Sequence, residues 1–104
     1  MSSIYTQQFT IAANHPAFSG HFPSFPILPA VVELSLLQET LSSFHQSPCT
    51  IIGLPFAKFL HPIKPNTVVN IELTILNEGS GNFIIRIPQH LAAKGRLLFK
   101  EITL

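Results

Sequence analysis

The sequence predicts an α+β fold, one buried helix wrapped by an antiparallel sheet of about five strands, and three observations carry that expectation. From Ala30 to Phe44 the chain has neither proline nor glycine, and Val31, Leu34, Leu37, Leu41 and Phe44 recur at helical spacing. Other stretches alternate apolar and polar residues, the period-two signature of a half-buried strand, with Gly, Pro, Asn and Ser between them. Between the first such stretch and the helix lies a loop that carries Pro16, Pro23, Pro26 and Pro29.

Taken in order, Ile4 to Ala12 sets Tyr5, Phe9 and Ile11 against Thr6, Gln8 and Thr10 and reads as the first strand. In the loop that follows, each proline fixes φ and removes a donor, so the segment is rigid and non-helical. Along the helix, Val32 and Leu36 lie opposite the main stripe, which makes it apolar almost all round and predicts burial on most sides. Ser47-Pro48 ends that region. Thr50 to Leu60 reads as a second strand in which Gly53 and Pro55 mark a bulge or bend. Lys64-Pro65-Asn66-Thr67 is a turn, and asparagine there accepts positive φ. Thr67 to Asn77 alternates with Val69, Ile71, Leu73 and Ile75 on one face. Glu78-Gly79-Ser80-Gly81 turns the chain into Asn82 to Pro88, and Ala92 to Thr103 closes the set. With no repeat or linker, residues 1–104 read as a single domain.

Composition narrows the partners. The chain is 46% hydrophobic and only 11% charged, which points to apolar surface covered by another subunit. It has no aspartate, so carboxylate chemistry must use Glu33, Glu39, Glu72, Glu78 or Glu101. All six basic residues lie from Lys58 onward and the net charge is +1, an arrangement that argues against nucleic acid but allows a local basic rim to attract an acidic protein. The single Cys49 excludes an intramolecular disulfide. The first residues lack the pattern of a secretion signal and no apolar run reaches the roughly 20 residues of a spanning helix, so a cytoplasmic protein without membrane insertion is expected.

The stretch His15 to Gln38, HPAFSGHFPSFPILPAVVELSLLQ, is the most distinctive. It holds His21 between a glycine and a Phe-Pro pair, at a defined angle just ahead of the helix, which suits a working imidazole. From Gly20 onward it resembles the signature of the β-hydroxyacyl-acyl-carrier-protein dehydratases of the FabA/FabZ type, roughly GHFPGxPxxPGVxxxEAxxQ. The opening HPAFSGHFP is similar to the short dehydratases of aryl-polyene clusters. Gly53 to Thr67, GLPFAKFLHPIKPNT, is similar to that family's GIDKARFRRPVVPGD without a gap, and Lys94 to Phe99 fits its terminal strand.

The resemblance implies a hot-dog fold, a homodimer whose sites draw on both subunits, and a 3-hydroxyacyl thioester carried on the phosphopantetheine of acyl carrier protein or CoA, with no metal and no further cofactor. It makes His21 the base that removes the α-proton and the Ala30 amide, where the family has glycine, the donor that polarises the thioester carbonyl. Gly20, Phe22, Pro29 and Val31 would contact substrate beside it. Lys58, His61 and Lys64 match the basic segment where the carrier protein docks. Phe22, Phe25, Phe56 and Phe59 would serve either as tunnel wall or as plain core.

The departure falls on the acid. The family's carboxylate, fourteen residues after the histidine, is Ser35 here, and a hydroxyl has no pKa suited to general acid work. Glu33, two residues earlier, points about 160° away on a helix and is a poor stand-in at this register. Glu39 is about 40° off and roughly 6 Å further along, which makes it the candidate acid, directly or through water held by Ser35. A metal site is not expected, since His15 and His21 have no cysteine or carboxylate at ligand spacing. Three readings follow: a dehydratase, which is preferred; a degenerate subunit that keeps only thioester or carrier binding; and a thioesterase on the same fold.

Overall fold

The sheet is built from the alternating stretches and closes in the order β1-β3-β4-β5-β2, every neighbour antiparallel. The computed structural model describes residues 4–18 and 27–102. Its strands are β1 (Ile4–Thr10), β2 (Cys49–Phe59), β3 (Val68–Asn77), β4 (Ser80–Ile87) and β5 (His90–Glu101). A 3-10 turn covers Pro16–Phe18, and the one helix of the described residues is α1 (Ala30–His45). The expected α+β architecture holds. Two strands start two residues before their alternation does, because the turns are tighter than the sequence suggests. Gly79 N–H donates to the Asn77 side-chain oxygen at 2.9 Å ahead of β4, and Gln89 takes a left-handed φ of 66° ahead of β5. The turn residue Asn66 sits at φ 61°, as its type allows.

Alternation puts Val69, Ile71 and Leu73 of β3, Phe83 and Ile85 of β4, and Ala93, Leu97 and Phe99 of β5 on the face beneath α1, all buried. Fully burying each large one is worth roughly 1.5–3 kcal/mol. β2 is an edge strand. Its register slips between Ile51 and Gly53 and again before Phe56, which is the bulge Gly53 and Pro55 predicted, and an edge is where a strand proline is tolerated.

The helix differs from its expected burial. Its covered face consists of Glu33, Leu36, Leu37, Thr40 and Leu41, while Val31 is 67% exposed and Phe44 lies at the margin. With apolar residues all round, periodicity could not choose the face; the sheet chose it, and the remainder is left for another surface. Gln38 fixes the rotation by accepting from Ile51 N–H at 3.0 Å and from the Thr50 hydroxyl at 3.2 Å. Phe56 and Phe59, which could have been core, are 45% exposed each.

Gly95 is required by close approach rather than by a turn. A Cβ there would stand 2.3 Å from the Phe56 carbonyl oxygen and 2.9 Å from Ala57 Cα, both backbone of β2, and 2.9 Å from the Phe83 ring. Gly95→Ala must therefore push β2 off β5. A loss of about 1–3 kcal/mol in urea denaturation is expected; an unchanged midpoint would contradict it.

Candidate active site

The start of α1 is set by its proline. Pro29 holds extended backbone (φ −62°, ψ 146°) and the helix begins at Ala30 immediately after it, with no side chain capping the end. The first amides of a helix have no turn behind them to bond to, so Ala30 presents a donor at the positive end of the helix dipole, on an exposed residue. This is what stabilisation of an enolate-like oxygen needs. The approach to the helix is tied down: Leu28 N–H donates to the Ile63 carbonyl at 2.8 Å, and Leu28 and Ile63 are buried. On the other side of the loop Phe18 is buried, its N–H bonded to the His15 carbonyl at 3.0 Å. Gly20, His21, Phe22 and Phe25 lie outside the described residues.

The helix residues separate cleanly. Ser35 is exposed, and its hydroxyl donates back to the Val31 carbonyl at 3.2 Å. Glu39 is exposed on that same side. Val31 shares that open surface and Pro29 is half-buried at its edge. Glu33 is the surprise. It points under the helix as the register requires, only 5% exposed, and its Oε1 has no hydrogen-bond partner. Burial alone pushes its pKa up to about 7. The sequence did hold a signal for this, because Glu33, Leu37 and Leu41 share one stripe at four-residue spacing.

Of the three docking candidates, two are brought together. His61 and Lys64 line a pocket of about 310 Å³ with Pro88 and His90, and the His61 and His90 rings stack at 3.9 Å. Lys58 stands apart, its Nζ 5.6 Å from the centre of the Phe56 ring. His90 was not among the expected residues; it joins them through the β4–β5 turn, a long-range contact that spacing could not reveal. Among the described residues no group of three His, Cys, Asp or Glu side chains is placed to hold a metal ion, and no helix is long and apolar enough to cross a membrane.

Known proteins share this fold. A FabZ 3-hydroxyacyl-[acyl-carrier-protein] dehydratase from Syntrophobacter fumaroxidans is 28% identical over 100 residues, 85% of this chain and 68% of its own length. The dehydratase heterocomplex ApeI:P from Xenorhabdus doucetiae superposes with a TM-score of 0.82 at 18% identity, over 94% of this chain and 88% of that one. An (R)-hydratase from A. caviae has the same fold, with a TM-score of 0.71 at 16% identity over 97% of this chain and 96% of that one. The family model of the ApeI-like dehydratases matches residues 2–96. The chain is a hot-dog protein and belongs to the ApeI-like dehydratase family.

Proposed function

We propose that the protein is a 3-hydroxyacyl-[acyl carrier protein] dehydratase of fatty-acid, polyene or polyketide assembly, working in the cytoplasm as a homodimer. The thioester arrives on the phosphopantetheine of the carrier, and the reaction needs no metal or other cofactor. His21 takes the α-proton, the Ala30 N–H donates to the thioester oxygen as charge builds there, and a carboxyl of α1 protonates the departing hydroxyl. That helix has two carboxyls, Glu33 and Glu39, and Ser35 where the family has its own. Gly20, Phe22, Pro29 and Val31 flank the thioester in this reading, and the pocket of His61 and Lys64 receives the acidic carrier, with Lys58 a separate basic contact beside Phe56. The observation that carries it is the helix start: a proline-capped end that leaves the Ala30 amide as an open donor directly after the loop bearing His21.

The test is interconversion of a 3-hydroxyacyl and an enoyl thioester on acyl carrier protein by the purified chain. Formation of the enoyl product is expected. Carrier binding without turnover would identify a degenerate subunit instead, and release of free thiol a thioesterase.

The homodimer is supported by what the single chain leaves uncovered. On β2 Ile52 is 58% exposed, with Leu54 and Phe56 beside it, and Val31 on α1 is exposed too. An apolar edge strand is a template for another strand. Placing a charge there, Ile52→Lys, is expected to convert the dimer to monomer by light scattering at micromolar concentration. A variant that remains dimeric would remove this edge from the interface.

A further inference from the structure

The Glu33 carboxyl is buried, and its Oε1 has no hydrogen-bond partner. Buried polar groups in folded proteins are almost always hydrogen-bonded, and an orphan one costs stability that selection has to tolerate for a reason. Here it sits in the first turn of α1, on the helix face that packs on the sheet and one turn ahead of the apolar Leu36 and Leu37. Helical side chains lean toward the N-terminus and onto the residues three and four back, which for Glu33 are Ala30 and Pro29. The carboxyl is thereby directed toward the turn whose Ala30 amide is the open donor. Neither alternative on the helix has this setting: the Ser35 hydroxyl is engaged with Val31, and Glu39 is solvated.

We propose that Glu33, lodged beneath the first turn of α1 with its Oε1 unpartnered, is the general acid of the dehydration, acting from the same subunit as the Ala30 amide. The proposal rests on the dehydratase reading and names the acid that reading leaves open. As His21 removes the α-proton, the electron pair forms the new C=C bond and the C–O bond at the β-carbon breaks. The proton of the Glu33 carboxyl passes to the leaving oxygen, which departs as water. Glu33 is left as carboxylate and His21 as imidazolium, and the return of that proton resets both. Apolar burial suits the task, because it keeps the carboxyl protonated near neutral pH until a hydroxyl is there to take the proton, as its upward-shifted pKa of about 7 reflects.

The experiment compares pH–rate profiles for dehydration by wild type, Glu33→Gln, Glu33→Asp and the exterior control Glu78→Gln, each checked for fold by circular dichroism. Wild type is expected to lose rate above about pH 7 as its acid ionises. Glu33→Gln is expected to be about 100-fold slower and to lack that limb. Glu33→Asp should recover part of the rate, and Glu78→Gln should match wild type. An active wild type with a folded Glu33→Gln of equal rate and unchanged profile would overturn the assignment while leaving the dehydratase reading intact. Should Glu33→Gln not fold, the wild-type profile decides, since a rate level from pH 6 to 9 also overturns it. A wild type with no turnover at any pH sinks the dehydratase reading and the acid with it.

Discussion

His21→Ala is expected to slow enoyl formation by about 10²–10⁴-fold, the usual worth of a positioned base, while leaving thermal stability within error. The second half of the expectation is what makes the first informative. A histidine in a proline-rich loop could equally be a turn residue, and its loss would then loosen the loop and lower activity indirectly. The structure anchors the flanks of that loop: Phe18 is buried before it, Leu28 is buried after it and is bonded to Ile63, and Pro29 fixes the backbone into α1. Kinetics and a melting curve on the same preparation separate the roles. Reduced kcat at constant Tm assigns His21 to the reaction, whereas a fall in Tm with proportional loss of activity would make it structural.

How far the sequence could be read depended on the kind of signal. Strands declared themselves where one face is buried and the other wet, and β3 shows it best: Val69, Ile71 and Leu73 are buried where the alternation placed them. The bulge in β2 was legible because Gly53 and Pro55 are poor ladder residues. The covered face of α1 was not legible, since Val31 and Leu34 are as apolar as Leu36 and Leu37 and only the sheet breaks the tie. The same ambiguity hid Glu33. Its angular distance from Ser35 was derivable, but whether that direction led to solvent or to core depended on the face. The loop before α1 was read as a motif, from prolines that limit the backbone locally and a family resemblance that supplied the chemistry, and its residues 19–26 lie outside the described residues. The meeting of His61 with His90 lay beyond any local pattern, because β2 and β5 pair across a long sequence separation.

Because Glu33 is buried with its pKa raised to about 7 from an ordinary 4.5, the folded protein should weaken as pH rises across that interval. The sign follows from proton counting. Between 4.5 and 7 the native state holds the Glu33 proton and the unfolded chain has released it, so raising the pH favours unfolding. Below 4.5 both states are protonated and the contribution is flat; above 7 both are ionised and the full penalty is in place. A shift of this size corresponds to about 3 kcal/mol between the two plateaus, a large share of the stability of a small domain. Glu33→Gln removes the titration without changing the side chain's size. The difference between wild type and variant in denaturant unfolding should therefore move by about 3 kcal/mol in the variant's favour from pH 4 to pH 8. Taking the difference cancels every contribution common to the two proteins. The glutamine amide carries its own burial cost, which offsets the two curves by a constant and leaves the slope untouched. A difference that stays level across this range would place the Glu33 carboxyl in water or beside a partner, and the same result would withdraw the proton that the dehydration is inferred to use.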